Sequence, residues 1–305
     1  MNRDDINIST MNVKKRPKII VIIGPTASGK SDLAIKMARM LSAVGGSAPQ
    51  SGAEIISADS RQVYRGMDIG TGKVTRKEQR LAPHYLIDIA DPSRQFTVSQ
   101  FKRLAEKKID EIIKRGKTPI ICGGTGFYID ALLNNLNLPD VPPNKKLRTK
   151  LEKQSAEHLS NQLKKLDPER AKTIDAKNKR RLIRALEIIH DTGRPVPKIK
   201  GSGKYDAYWL GITWPKEILA RRIKQRLDSR FKQGMIAEVK KLKKSGISWR
   251  RLYDFGLEYR WISLYLQNKI TLQEMKDNLY HAIVQYSKRQ MTWFKRNKNI
   301  HWINN

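Results

Sequence analysis

Short apolar runs alternate with segments of helical periodicity over the first half of the chain, a pattern typical of a parallel α/β sheet. The runs predict strands over residues 19–23, 54–57, 85–89 and 119–122. Apolar residues at helical spacing predict helices over 32–41 and 101–113. The chain is therefore expected to build an α/β core from residue 17, after a polar, disordered tail over 1–16.

The pattern changes near residues 139–143, where three prolines interrupt the alternation. Two polar, basic segments with helical periodicity follow, 145–166 and 178–190, and Gly193 is a plausible stop for the second. A strand is predicted over 208–213, helices over 216–233, 235–244, 256–267 and 272–296, and a last strand over 299–303. We therefore interpret 140–204 as a helical insertion in a core formed by 17–139 and 205–305.

The segment between the first predicted strand and helix fits the phosphate-loop pattern G-x-x-x-x-G-K-[S/T] at every required position. Its residues are Gly24, Pro25, Thr26, Ala27, Ser28, Gly29, Lys30 and Ser31. Backbone N–H groups of such a loop bind phosphate oxygens, and the following helix N-terminus adds partial positive charge. Lys30 supplies a full charge, and the Ser31 hydroxyl can bind Mg²⁺. The motif indicates a phosphate or diphosphate ligand without naming its carrier.

The charge balance indicates a polyanionic partner. The 305 residues contain 61 Lys and Arg against 29 Asp and Glu, a formal net charge of +32. Residues 140–305 hold 39 of these cations and 16 of the anions, so most of the excess lies outside the phosphate-loop region. Cys122 is the only cysteine, which excludes an intrachain disulfide and is compatible with a reducing cytosol. No apolar stretch approaches the length of a membrane span.

Asp59 follows the second predicted strand, at the edge of a parallel sheet where ligands bind. It could hold Mg²⁺ or act as a general base, or it could cap a helix. The glycine-rich segment 66–73 is either a second anion site or a tight loop. The segment 123–126 suits either close approach to a ligand or tight packing.

Two arginine clusters at helical spacing suit phosphate oxygens, although a solvated basic face is the alternative. One is formed by Arg180 and Arg184, and the other by Arg222, Arg226 and Arg230. The segment 286–296 mixes aromatic and cationic residues. It could stack RNA bases, or it could form an amphipathic helix with its aromatics in the core.

Taken together, these segments resemble the tRNA dimethylallyltransferases, also called tRNA isopentenyltransferases. The motifs that carry the resemblance span nearly the whole chain and lie at 24–31, 56–71, 84–88, 123–128, 184–187 and 288–294. The resemblance implies a P-loop NTPase-like parallel sheet with an inserted helical domain that grips the anticodon stem-loop. It implies transfer of a dimethylallyl group from dimethylallyl diphosphate to the exocyclic N6 amine of the adenosine 3′-adjacent to the anticodon. A cytoplasmic, monomeric enzyme is expected.

The resemblance also implies roles for individual residues. Residues 24–31 and Arg226 hold the diphosphate, with Mg²⁺ at Ser31, and Asp59, Thr26 and Arg222 are the expected catalytic residues. Asp59 corresponds to the general base that takes a proton from the adenine amine. The residues expected to contact tRNA are Asp59, Ser60, Arg61, Gln62, Thr125, Arg148, Arg180, Arg181, Leu182, Ile183 and Arg184.

The chain departs from the pattern of the family in three places. Residues 45–52 are an insertion, interpreted as a surface loop. Glu258 stands where the family usually has glycine before Tyr259, which puts a local tRNA contact in doubt. Arg230 stands where many members have methionine.

Three other functions fit part of the pattern. A phosphate-loop kinase of a small metabolite explains 24–31 but not the basic excess. A prenyltransferase of free adenine nucleotides does not need a basic helical insertion. A non-catalytic RNA-binding protein leaves the intact phosphate loop unused.

Overall fold

The computed structural model describes residues 16–44, 52–198 and 201–304. The tail expected over 1–16 and the insertion at 45–52 lie outside these residues, apart from Arg16 and Gly52. The chain divides into two compact units. The first comprises Met1–Asn135 and Gly203–Asn305, and the second comprises Leu136–Ser202.

The first unit is built on a six-stranded sheet in which every neighbouring pair of strands is parallel. Its strands are β1 (Lys18–Ile23), β2 (Ala53–Ser57), β3 (His84–Tyr85), β4 (Thr118–Gly123), β5 (Asp206–Thr213) and β6 (Ile300–Asn304). The strand order is β3-β2-β4-β1-β5-β6. This order places β1, β2 and β4 together, so the segments that follow them meet at one edge of the sheet.

The helices of the first unit cover the sheet and extend beyond it. They are α1 (Lys30–Val44), α2 (Arg76–Leu81), α3 (Val98–Lys114), α4 (Gly126–Leu133), α9 (Lys216–Lys232), α10 (Met235–Lys244), α11 (Trp249–Phe255), α12 (Leu257–Tyr265) and α13 (Leu272–Phe294). Helices α5 to α8 belong to the second unit. The sequence predicted α1, α3, α9, α10, α12 and α13 with bounds close to these.

Alternate residues of β1 point to opposite faces of the sheet, and both faces are buried. Val21 packs with Phe101 of α3 in the core on one face, and Ile22 packs with Ala34 of α1 in the core on the other. A third cluster joins α9 to α13 around Tyr259, whose side chain is fully buried. This cluster supports the arginine-bearing face of α9 described below.

The predicted strand 85–89 is wrong beyond Tyr85. Leu86 and Asp88 adopt positive φ angles of 61° and 57°, which an extended strand does not allow. The chain therefore bends after β3, and Ala90 then forms an isolated parallel bridge with Tyr64, outside the strands of the sheet.

The second unit is helical, with α5 (Lys145–Glu152), α6 (Ala156–Leu166), α7 (Pro168–Thr173) and α8 (Lys179–Thr192). Its core includes Leu151, Leu159, Leu163 and Leu186. The single helix predicted over 145–166 is wrong: the chain breaks at 153–155, where the Ser155 side chain accepts a hydrogen bond from the His158 N–H and caps α6. The stop predicted at Gly193 is confirmed, because this glycine ends α8 at φ 66°.

Candidate functional site

The phosphate loop turns sharply from β1 into α1. Ala27 and Gly29 adopt φ angles of 63° and 93°, and the Ser28 N–H donates to the Pro25 carbonyl at 3.3 Å. Gly24 has no room for a side chain, since a Cβ there would lie 2.7 Å from Ser28 Oγ. This compact path from strand to helix is the geometry that presents successive backbone N–H groups to phosphate.

Two side chains from outside the loop bind its carbonyl groups. Trp214 Nε1 donates to the Ser28 carbonyl at 3.0 Å, and Arg222 Nε donates to the Ala27 carbonyl at 2.9 Å. The Arg222 guanidinium also lies over the Trp214 ring, 4.4 Å from its centroid. Arg222 is thus held directly against the phosphate loop, and its catalytic role stays a prediction.

Gln290 links the phosphate loop to the loop after β4. Its Oε1 accepts a hydrogen bond from the Thr26 N–H at 2.8 Å, and its Nε2 donates to the Gly124 carbonyl at 2.8 Å. Its side chain is buried. Gln290 lies in the 288–294 motif, but the sequence alone assigned no role to it. A lone buried glutamine on an amphipathic helix carries no signal that it reaches another loop.

Asp59 caps a turn that follows β2. Its Oδ1 accepts hydrogen bonds from the N–H groups of Arg61 at 2.8 Å and Gln62 at 3.3 Å. No helix begins here, so the helix-cap alternative is wrong, although the side chain does stabilise local backbone. Oδ2 accepts no hydrogen bond from any described residue. Asp59, Lys30 and Ser31 line one cavity.

Residues after β2 and β4 meet beside Asp59. The Ser60 N–H donates to Thr125 Oγ1 at 3.0 Å, and Arg61 Nε donates to the Phe255 carbonyl at 2.9 Å. All three predicted residues, Ser60, Arg61 and Thr125, are half-buried. Gln62 differs, because its side chain is buried and its Nε2 donates to the Gly72 carbonyl at 3.1 Å. The Gln62 amide is thus committed to holding the loop.

Cations from two helices, α1 and α9, lie close to one another beside the phosphate loop. Lys30 Nζ lies 3.3 Å from the Pro25 carbonyl, and burial lowers the pKa of this lysine. Arg226 Nη2 lies 3.5 Å from the Gly72 carbonyl. Burial, together with the charge of Arg230, lowers the pKa of Arg226 to about 10. An excess of buried positive charge of this kind attracts an anion.

The two glycine-rich loops are explained by packing. Glu238 accepts hydrogen bonds from the N–H groups of residues 68, 69 and 70 at 2.8, 2.6 and 3.0 Å, so these amides already hold a carboxylate. In the loop 123–126, a Cβ on Gly123 would lie 2.2 Å from the Ala58 carbonyl oxygen, and one on Gly126 would lie 2.2 Å from Trp293. The structure thus favours the tight-loop alternative for both segments.

Cys122 lies under the phosphate loop. Its Sγ is 3.5 Å from the Lys30 carbonyl oxygen, and burial raises the pKa of the thiol to about 12. The thiol is therefore neutral near pH 7 and suits a packing role.

In the 286–296 segment, Phe294 is buried and Trp293 Nε1 donates to Asp130 Oδ2 at 3.0 Å, which favours the amphipathic-helix alternative for these two aromatics.

In the second unit, Glu187 holds two of the predicted arginines. Its carboxylate accepts from Arg148 Nε and Nη2, both at 2.7 Å, and from Arg184 Nη1 at 2.6 Å. Burial raises the pKa of Glu187, but its hydrogen bonds to the arginines and to the Asn144 N–H outweigh burial and lower it overall. These arginines therefore have fixed positions on the unit.

The remaining predicted residues of α8 divide by exposure. Arg180 and Arg181 are exposed, whereas Leu182 and Ile183 lie in the core of the second unit, 0% and 7% exposed. The expectation that the side chains of Leu182 and Ile183 contact RNA does not agree with this placement. Their apolar side chains complete the buried stripe that α8 needs to pack.

With this geometry in place, comparison with known proteins identifies the family. Residues 62–297 match the family described as IPP transferase. The chain is 42% identical to tRNA dimethylallyltransferase 1 of Syntrophus aciditrophicus over 91% of this chain and 89% of that protein. It is 41% identical to the tRNA dimethylallyltransferase of Acetivibrio thermocellus over 94% and 91% of the two chains.

Solved structures similar to this chain belong to proteins of the same kind. The full-length tRNA isopentenylpyrophosphate transferase from Bacillus halodurans superposes with a TM-score of 0.69 at 38% identity, covering 95% of this chain and 90% of that one. A eukaryotic dimethylallyltransferase acting on tRNA superposes with a TM-score of 0.78 at 26% identity, covering 94% of this chain and 74% of that one. The chain is therefore a P-loop-type α/β enzyme that belongs to the tRNA dimethylallyltransferase family. No helix in the described part of the chain is both long and apolar enough to cross a membrane.

Proposed function

We propose that this chain transfers a dimethylallyl group from dimethylallyl diphosphate to N6 of the adenosine 3′-adjacent to the anticodon of tRNA. The observation that carries the proposal is the placement of Asp59 in one cavity with Lys30 and Ser31 of the phosphate loop. An acceptor amine beside Asp59 and a diphosphate on the loop would then face each other across a short gap.

The diphosphate would bind to the phosphate loop and its cations. Lys30 and the backbone N–H groups of 24–31, other than those of Thr26 and Ser28, would hold the terminal phosphate, with Arg222 and Arg226 on the side of α9. Ser28 Oγ supports this placement, because it is buried and has no hydrogen-bond partner among the described residues. A buried hydroxyl without a partner is costly, and a phosphate oxygen would accept a hydrogen bond from it.

Mg²⁺ fits the oxygen donors of this cavity. The Ser31 hydroxyl is the protein oxygen that would hold the ion, which leaves the Asp59 carboxylate for the acceptor amine. Among the described residues no group of three or more His, Cys, Asp or Glu could hold a metal. Mg²⁺ is commonly bound by one or two protein oxygens together with substrate phosphates. Bound there, the ion would neutralise charge on the leaving diphosphate.

Asp59 would act as the general base. The amine nitrogen forms a bond to C1 of the dimethylallyl group while the C1–O bond to diphosphate breaks, and Asp59 takes the proton that the amine loses. The hydrogen bonds to Oδ1 from the Arg61 and Gln62 N–H groups orient the carboxylate, and Oδ2 is left to accept the proton. A positioned base of this kind contributes about 10² to 10⁴ in rate.

The second unit would bind the anticodon stem-loop. Residues 140–204 were expected to form this domain, and Arg148, Arg180, Arg181 and Arg184 are its candidate phosphate contacts. The net charge of +32 supports a long polyanionic substrate. A monomer acting in the cytoplasm is the simplest form of such an enzyme. A small-metabolite kinase and a transferase for free adenine nucleotides are not favoured, since neither needs this charge.

The test is a reaction of the purified chain with dimethylallyl diphosphate, Mg²⁺ and unmodified tRNA, followed by digestion and mass spectrometry. We expect a dimethylallyl adduct on the adenosine next to the anticodon, and affinity for tRNA that falls at least tenfold between 50 and 200 mM salt, as roughly estimated for several phosphate contacts. Comparable activity on AMP, or phosphoryl transfer from ATP without tRNA, would contradict the proposal.

A further inference from the structure

Arg230 and Glu258 form an ion pair inside the first unit. Arg230 Nη1 lies 3.1 Å from Glu258 Oε1, and the side chains are 9% and 10% exposed. Arg230 lies in the last turn of α9 and Glu258 in the first turn of α12. Buried pairs of this kind are costly to desolvate, so this one calls for an explanation in its surroundings.

Arg226 lies one turn before Arg230 on α9, and the two side chains approach the same glycine. Both guanidinium groups crowd Gly72: a Cβ added to this glycine would lie 1.7 Å from Arg230 Nη2 and 2.2 Å from Arg226 Nη2. Arg230 Nη1 also lies 3.3 Å from the Gly70 carbonyl. Two like charges thus share a small, poorly solvated space, where their repulsion is strong.

Glu258 is the carboxylate that relieves this repulsion. Arg230 and then Arg226 are the guanidinium groups that act on Glu258 and oppose the rise in its pKa caused by burial. With Arg230 present, the short contact of Glu258 is to Arg230. If Arg230 were absent, Arg226 would be the remaining guanidinium partner for a buried carboxylate.

We propose that Arg230 and Glu258 are a positioning pair that keeps Arg226 directed at the diphosphate, an inference that rests on the proposed function. Arg230 binds Glu258 and so prevents this carboxylate from drawing Arg226 away from the phosphate loop. Glu258 in turn cancels the charge of Arg230, so that the site does not hold its diphosphate product too tightly.

Two departures of the sequence from the pattern of the resemblance meet at this pair. Arg230 stands where many members have methionine and Glu258 stands where the family usually has glycine, and the two side chains are in contact. Either change alone would leave a buried charge without its partner. The effect of Glu258 is therefore expected on diphosphate binding rather than on a tRNA contact.

The test is a double-mutant cycle of R230M, E258Q and R230M/E258Q, with binding of inorganic diphosphate in the presence of Mg²⁺ measured by calorimetry. We expect R230M to weaken binding about tenfold and E258Q to strengthen it about threefold, both in the range of coupling measured for residues of one ion-pair network. The double variant should bind as tightly as the wild-type chain, because both buried charges are gone together, whereas independent effects would leave it about threefold weaker. Thermal unfolding of each variant is measured in parallel.

E54Q is the matched control, since Glu54 is also buried and pairs with Arg115 and Lys117 at 2.5 and 2.9 Å, on the strand that leads to Asp59. It should lower the unfolding temperature and leave diphosphate affinity unchanged. If R230M does not fold, E258Q alone decides the question, and unchanged or weaker binding overturns the inference. Equal affinities across the cycle overturn it as well. A wild-type chain that binds no diphosphate overturns the proposed function too.

Discussion

Replacing Gln290 with leucine would separate the phosphate loop from the loop after β4. Leucine has a similar volume but removes the hydrogen bonds to the Thr26 N–H and the Gly124 carbonyl, both 2.8 Å long. Each backbone group left without a partner costs about 1–3 kcal/mol, so Q290L should lose roughly 2–6 kcal/mol of unfolding free energy. Since Thr26 lies in the phosphate loop, the diphosphate site should loosen as well.

The assay combines urea unfolding with initial rates at varied concentrations of each substrate. We expect Q290L to raise the KM for dimethylallyl diphosphate about tenfold or more and to leave the KM for tRNA within about twofold. Q267L is a suitable control, because Gln267 Nε2 donates to the Ser263 carbonyl within its own helical segment, away from the loop. Unfolding within about 0.5 kcal/mol of the wild-type chain, with an unchanged KM, would refute the reasoning.

Three further results are expected. R222A should raise the KM for dimethylallyl diphosphate about tenfold, because it removes the guanidinium held against the phosphate loop. R221A changes an exposed neighbour and should leave this KM within about twofold of the wild-type value, so equal KM values for the two variants would contradict the prediction. E238A leaves three backbone N–H groups and the Tyr259 hydroxyl without an acceptor, so urea unfolding should show a loss of about 3–5 kcal/mol. Glu187 has a lowered pKa, so the stability that its charge contributes should be fully present above pH 4.5 and lost as the pH falls through the lower folded-state pKa. The unfolding temperature of E187Q should therefore depend less on pH over this range than that of the wild-type chain.

Much of the fold could be predicted from the sequence because its signals are local. The alternation of apolar runs and helical segments predicted every strand of the sheet, and Gly193 marked the end of α8. The predicted helix and strand bounds were wrong where one or two residues interrupt an otherwise continuous pattern of apolar positions. Ser155 caps α6 inside an otherwise continuous helical pattern, and the positive φ angles of Leu86 and Asp88 end β3 without a glycine to announce them.

The proximity of site residues could be predicted where they stand at strand ends, and it was missed where the contact is made by the side chain of a helix residue. Residues 24–31 and Asp59 stand at strand ends, so the topology of a parallel sheet brings them together. Gln290 reaches Thr26 across 264 positions, and Glu258 reaches Arg230 across 28, and no local pattern marks either contact. The inward direction of Leu182 was readable from the apolar stripe of its helix, but the resemblance placed it among the tRNA contacts.

The central claim is that Asp59 removes the proton from the acceptor amine beside a diphosphate on the phosphate loop. Asp59→Asn is the most direct test, since the amide oxygen can still accept from the Arg61 and Gln62 N–H groups and keep the turn intact. Dimethylallyl transfer to tRNA would be measured by mass spectrometry and tRNA affinity by filter binding. The account predicts a loss of transfer of about 10² or more with tRNA affinity within about threefold. Transfer at the wild-type rate by this variant would contradict it.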